Sequence, residues 1–460
     1  MRTIRNKKGM GWLSPIEYHI AVPSHTIMIS KVIAFMEEKS CLMFSYNIYP
    51  FDDRPGLIFD SVQKKKPNSA HVGKEKNEIP QKIKLNNTCY KNFGCVLKYT
   101  IISLGLAPPI LRSDRNEYVS VFLKNVDEKY KNQFNNSDKN RIVITYNYSY
   151  DFSSIAHPDA YYYSKNGKPT IKVLDPTYAN MIGQEDYPTF QDMKVFNWHY
   201  CRLDCGVFES YCKNGGYIHT NECNYCVCPT GLTGVDCSDL KNHSSTCPNN
   251  DQEHLIDQNI IKGEFNGNIS CIFRFTTDKN SKIMLTVYKL NFETPHACSE
   301  SKGFQIKYQA DKGRTGIILC NRKDITSKKP FAIISENNIL MLLIHFNKKS
   351  DAVHFLVEKV SQNATLTTKR EGTTSKRPKI TTTRRLTKTS RNKVITTSKL
   401  NNKGWKKTKT STIRASKNKA TKSTQFLTST KPKVSGKKTV STTKKQKSTA
   451  KNNKTKQNER

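Results

Sequence analysis

The chain has 460 residues, 14 cysteines and a formal net charge of +38 at neutral pH. One hydrophobic core does not serve a chain of this length, so roughly two to four domains are expected. The basicity is concentrated: residues 361–460 hold 30 Lys and Arg against 2 acidic residues, a net +28, which leaves +10 for the first 360. That basic run lacks the regular aromatic interleaving that base stacking needs, which argues against a nucleic-acid binder, and no apolar run is long enough to span a bilayer.

Residues 1–15 are polar, and the opening MRTIRNKKGMGWLSPIEYHI has basic residues without an apolar leader core, so either a leader is expected upstream or the chain starts at an internal methionine. From Ser24 to Glu38 the pattern predicts an amphipathic helix, with Ile29, Ile33 and Met36 on one face. Cys41–Tyr49 reads as a strand and 60–80 as loops. The apolar stretch from Gly94 to Leu106 predicts a buried helix, and Val119–Val126 a further one. Residues 142–201 are rich in turns and aromatic residues, with little periodicity. Between 247 and 360 the β-branched and aromatic runs Ile283–Val287, Ile317–Leu319 and Ile339–Phe346 predict strands of a sandwich. From 361 onward Ser and Thr supply 35 of 100 residues. Such a segment buries too little apolar surface to offset its chain entropy and is expected to be a disordered, O-glycosylated stalk.

All the cysteines lie between Cys41 and Cys320, and six fall in 205–237. A dense, even set signals a disulfide framework made in an oxidising compartment; a zinc ribbon at Cys223-Asn-Tyr-Cys226 is the competing reading. Seven Asn-x-Ser/Thr sequons, at Asn86, Asn135, Asn147, Asn242, Asn268, Asn363 and Asn453, agree with secretion.

Four ordered segments carry a family resemblance. Arg112-Ser-Asp114-Arg115-Asn-Glu117-Tyr118-Val119 resembles the astacin segment RxDRDxYV. Tyr150-Asp151-Phe-Ser-Ser154-Ile155-Ala156-His157 resembles the astacin Met-turn. Ser164-Lys-Asn-Gly167-Lys-Pro-Thr-Ile171 matches SKNGKPTI, and Ile182-Gly-Gln184, Phe190-Gln-Asp192-Met-Lys194 and Asn197-Trp-His-Tyr-Cys201 match the C-terminal stretch. With Pro15–Ile20 and Cys41–Phe44 upstream, the resemblance covers residues 12–201. It implies an α+β, metzincin-like peptidase domain with a cleft between two lobes, a disulfide Cys41–Cys201, and a second from Cys89 to a position occupied here by Asn68; Cys95 is then the candidate partner of Cys89.

Astacins hold zinc through HExxHxxGxxHE. Two His at i and i+4 share a helical face, Gly ends the helix, and the chain returns a third His; the Glu is the general base. Counted from Phe93-Gly94 and back from Arg112, the same register puts Lys98, Ile102 and Pro108 at the three ligand positions and Tyr99 at the base, with Gly105 retained. An ammonium repels a dication, Ile and Pro bring no donor, and a phenol with a pKa of about 10 is a poor base at neutral pH. In the Met-turn Ala156 replaces Met and Pro158 replaces the oxyanion-stabilising Tyr, while His157 reads as structural. The resemblance therefore implies a peptidase fold with no catalytic residue, no metal ligand and no cofactor.

Cys205, Cys212, Cys223, Cys226, Cys228 and Cys237, with Gly215-Gly216 and Gly231-x2-Gly234, resemble an EGF-like module over 202–240, implying Cys205–Cys223, Cys212–Cys226 and Cys228–Cys237. Residues 247–360 resemble a CUB domain with Cys247–Cys271 and Cys298–Cys320, against a generic β-sandwich; no calcium acids are evident in either module. The implied protein is a secreted, proteolytically inactive homologue that binds an extracellular protein or matrix component, with residues 361–460 free to grip anionic glycans. The alternative is an active zinc endopeptidase whose sequence is misread around 95–111, in which case zinc is its cofactor.

Overall fold

The computed structural model describes residues 2–5, 11–62, 66–75, 79–136, 143–201, 211–220, 222–248, 251–366 and 380–382. In the first 201 residues, four parallel strands form one sheet in the order Phe44–Asn47, Ile16–Ile20, Leu57–Ser61, Gln81–Leu85. The alternation in Gln81–Leu85 buries Gln81, Ile83 and Leu85 and exposes the two lysines between them. Helix α1, Thr26–Lys39, lays Ile29, Val32, Ile33 and Met36 into the core. Each contributes about 1.5–3 kcal/mol by burial. The helix stops at Ser40, whose backbone is extended and whose Oγ donates to the Met36 carbonyl at 2.7 Å. A short turn α2, Asn87–Tyr90, leads into α3, Phe93–Ser103, which lies under the same sheet. The disulfide Cys41–Cys201 ties the end of α1 to the end of helix α4, Phe190–Tyr200.

Sequence expectation and structure part company at four places. Val119–Val126 is not a helix: Val119–Val121 pairs antiparallel with Ile171–Val173, and Leu123–Asn125 makes one 3-10 turn. The β-branched Val119 and Val121 find a strand partner, and that tertiary pairing outweighs a weak helical pattern. Helix α4 lies where turns were expected. Its signal was Thr189-Phe-Gln-Asp192: the Thr189 side chain accepts from the Asp192 backbone N–H and the Asp192 carboxylate accepts from the Thr189 N–H, a reciprocal cap. At the N-terminus Arg2–Arg5 pairs with Val143–Thr145, so ordered backbone starts before residue 12. Beyond 360 the last long strand reaches Ser361, and Ala364–Leu366 pairs with Ile380–Thr382, because buried Ala364 packs on Met284 and Val360. The rest of the basic segment lies outside the described residues.

Residues 253–361 form two facing sheets. One has the order Glu253–Leu255, Ser270–Thr276, Ile339–His345, Gly303–Lys307, Ile317–Leu319; the other, Ile261–Asn266, Ala352–Ser361, Ser281–Asn291, Phe331–Ile334. Phe273, Phe275, Phe304 and Phe355 fill the space between them. In sequence between the first 201 residues and this sandwich lie the bridges Cys212–Cys226 and Cys228–Cys237, while Cys247–Cys271 and Cys298–Cys320 brace the sandwich itself. Cys205, the expected partner of Cys223, lies outside the described residues. One continuous apolar cluster runs from Ile110, Val126, Phe152 and Met181 into the sandwich. The sandwich therefore packs directly on the part of the chain between Ile110 and Ile182.

Candidate functional site

Helix α3 is held at both ends by its own sequence. The Asn92 side chain accepts from the N–H groups of Gly94 and Cys95 at 2.9 and 3.3 Å. At the other end Gly105 has φ +113°; its N–H bonds the Ile102 carbonyl, and the Leu106 N–H bonds that of Ile101. This is a Schellman stop, which favours glycine. Trp12 Nε1 then donates to the Ser103 carbonyl at 2.9 Å, and the Tyr200 hydroxyl to that of Leu104. Gly94 serves a different need. A side chain there would collide with the Glu185 carbonyl at 2.0 Å, so glycine lets the 185–186 backbone lie against the first turn of α3.

That close approach brings Glu185 to Lys98. Lys98 Nζ lies 3.5 Å from the Glu185 carboxylate and 3.5 Å from the His157 carbonyl oxygen, and its side chain is 9% exposed. One turn on, Ile102 is buried on the same face. Tyr99 is half-buried, and burial, with smaller effects from Tyr163, Glu185 and Asp159, pushes its phenol well above the usual range. Pro108 is half-buried, and Ala156 and Pro158 are buried.

The turn at 151–157 is fixed by a buried carboxylate pair that the sequence did not single out. The Asp192 carboxylate accepts from the Ser154 hydroxyl at 2.7 Å, the Ile155 N–H at 2.8 Å and the Thr189 N–H at 3.1 Å. The Asp151 carboxylate accepts from the Thr189 hydroxyl at 2.7 Å, the Ser153 N–H at 3.0 Å and, from the sandwich, the Thr315 hydroxyl at 3.0 Å. Burial first, and the Asp151 charge second, raise the Asp192 carboxyl to about 7. His157 is fully buried. Its Nδ1 lies 2.7 Å from the Pro158 carbonyl, which can only accept, so Nδ1 carries the proton and Nε2 accepts from the Tyr150 hydroxyl at 2.8 Å. Burial lowers its pKa to about 4. Both ring nitrogens are thus spent on holding the turn.

Cys89 and Cys95 are bridged. Asn68 stands beside that bridge, its amide 3.8 Å from Cys95 Sγ and its oxygen accepting from the Asn86 N–H at 2.8 Å. Residues 4–201 match the family model described as Astacin, a peptidase family.

Residues 4–201 form an astacin-family domain.

Zinc metalloproteinase nas-34 of Caenorhabditis elegans is 28% identical over 350 residues, covering 74% of this chain and 55% of that protein. Blastula protease 10 of Paracentrotus lividus is 30% identical over 239 residues, covering 50% and 38%. The chain thus spans about half the length, or less, of these relatives. Among solved structures, high choriolytic enzyme 1, a hatching enzyme zinc-protease from Oryzias latipes, is 21% identical with a TM-score of 0.36, covering 44% of this chain and 98% of that one. The CUB1-EGF-CUB2 domain of human MASP-1/3 is 14% identical with a TM-score of 0.19, covering 32% and 55%.

Astacin-family enzymes depend on zinc, and the residues of this astacin domain do not fit that ion. Where the sequence register expects ligands, α3 offers an ammonium already paired with a carboxylate and a buried alkyl chain, and the loop beyond it a proline. Zinc asks for neutral imidazole, thiolate or carboxylate donors in tetrahedral array. Among the described residues, the one group of His, Cys, Asp or Glu atoms close enough for a metal is His243, Cys247 and Cys271, and the two sulfurs there are joined to each other. No described helix is long and apolar enough to cross a membrane.

Proposed function

We propose that this chain is a secreted, non-catalytic astacin homologue that acts by binding an extracellular protein or matrix component. The observation that carries the reading is Lys98. Its ammonium sits buried between the His157 carbonyl and the Glu185 carboxylate, where a zinc enzyme of this family needs an imidazole. A paired, buried cation is costly to remove and repels a dication. Tyr99 stands where the family has its general-base carboxylate, and its phenol, pushed above the usual range by burial, does not take a proton from water at neutral pH.

In this reading 202–240 is an EGF-like module and 247–360 a CUB-like one, both common binding modules of secreted proteins. The chain's disulfides support an oxidising, extracellular setting. The test is elemental analysis of the purified full chain, together with a peptide-hydrolysis assay in added zinc. Less than a tenth of an equivalent of zinc, with no cleavage, is expected. One tightly held equivalent, lost when residues of α3 are changed, would overturn the reading and favour a zinc endopeptidase.

A further inference from the structure

We propose that an open groove of about 810 Å³ beside the strand Ile171–Val173 binds an extended acidic peptide segment that carries apolar side chains, presented by a protein partner. The groove has an apolar floor of Ile171, Val173 and Ile182, all buried, with Phe122 and Pro169 in its walls. Its rim is cationic: Lys124, Lys168 and Lys172 line it, all three exposed, and no carboxylate is among the lining residues. Three nearby lysines, by contrast, are paired. Lys165 and Lys131 pair with Glu128, and Lys129 pairs with Asp127. None of the three rim lysines makes an ion pair among the described residues. The nearest acidic neighbours in sequence are Asp127, paired with Lys129, and Asp175, which lines a different cavity and whose carboxylate caps the turn at 176–178 by accepting from the Thr177 N–H.

The rim is also rigid. Gly167 takes φ +68°, the Ser164 hydroxyl donates to the Lys168 carbonyl at 2.7 Å, and the Asn166 side chain accepts from the Lys168 N–H at 3.1 Å. Asn166 in turn donates to Asn125, which donates to the Pro169 carbonyl at 2.7 Å. The segment Ser164–Ile171 therefore presents Lys168 at small entropic cost, which favours binding through preorganisation. Three unpaired cations around an apolar floor suit carboxylates alternating with apolar side chains. A sulfated glycan would satisfy the rim and leave the floor uncovered. The groove deepens the binding half of the proposed function, yet it does not depend on the state of the zinc positions, so either can fail alone.

The experiment uses the full chain and an N-acetylated hexapeptide alternating Asp or Glu with photoreactive leucine. Affinity is read by fluorescence anisotropy and the site by mass spectrometry of the adducts. Adducts on peptides containing Phe122, Pro169 or Ile182, and affinity at least about tenfold weaker in Lys124→Glu/Lys168→Glu/Lys172→Glu, are expected. The exposed positions leave the core untouched, and circular dichroism of the variant checks that it folds. Adducts confined to the basic segment beyond 366, with affinity unchanged in the triple variant, would overturn the proposal. So would binding at the groove by a heparin-derived oligosaccharide but not by the peptide.

Discussion

Substituting Asp192→Asn separates the charge of this carboxyl from its shape. In the folded chain Asp192 is completely buried near Asp151 and its carboxyl titrates at about 7, against 3.8 in the unfolded chain. At low pH both states hold the proton. As the pH rises past 3.8 the unfolded chain releases it, while the folded chain keeps it until about 7. Stability therefore falls across that window and stays lower above it. Expressed in full, the difference between these two values corresponds to ~4 kcal/mol, a cost that belongs to the buried pair with Asp151. Asn has no proton to lose and fits the site. Its oxygen can accept from the Ile155 and Thr189 N–H groups, and its amide can face the Ser154 hydroxyl, now as donor. Relative to the unsubstituted chain, the variant should gain up to ~4 kcal/mol between pH 4 and pH 8, read from guanidinium midpoints at a series of pH values. A stability difference that does not change with pH would show that Asp192 ionises normally in the fold, and the argument from burial would be wrong.

His157 predicts the opposite slope. Its folded pKa of about 4 lies below the ordinary 6.5, so stability is complete above 6.5 and is lost as pH falls toward 4, by up to ~3 kcal/mol. His157→Asn should erase that loss, and denaturation at pH 7 and 4.5 compares the two chains. Replacing both Cys41 and Cys201 with Ser opens a crosslink spanning 160 residues, so the domain should lose about 4 kcal/mol, measured as a fall in the denaturant midpoint. Asp186→Ala removes the acceptor for Ser299, Ser301 and Lys302, which join the sandwich to the first 201 residues. Calorimetry should show the sandwich transition about 2–3 kcal/mol weaker, with secondary structure retained. Ile102→Ala should cost about 2–4 kcal/mol through the cavity it leaves.

What the sequence shows clearly is what depends on spacing. α1 follows from apolar periodicity and α3 from an apolar stretch, while the partner of Cys95 follows only from the family resemblance, which leaves Asn68 at the usual position. The strands of the sandwich follow from β-branched runs. What it hides depends on who meets whom across the chain. Glu185 becomes the partner of Lys98 because Gly94 lets two backbones touch, and nothing in the local residues around 185 announces it. Asp151 and Asp192 stand in the sequence only as members of family-like segments in a turn-rich stretch, and it is the fold that buries both beside Thr189. Val119–Val126 misleads for the same reason, since its strand partner lies some fifty residues away at Ile171–Val173. Helix α4 was legible in principle through its reciprocal cap at Thr189 and Asp192, although its aromatic and polar residues give little periodicity.

The apolar cluster that runs from Ile110 and Met181 into the sandwich carries a consequence for anyone who divides the chain. Sequence borders drawn at cysteine patterns suggest beads that can be cut apart or exchanged. Here the thermodynamic border lies elsewhere: half of the astacin domain shares its interior with the sandwich, and the two halves of that domain have separate interiors. A fragment ending at Cys201 would carry a bare oily underside and an Asp151 stripped of its Thr315 partner, and it should aggregate where the longer chain stays monodisperse. Grafting another module in place of the sandwich would demand new residues on the receiving face. In this chain the appended module has become part of the foundation.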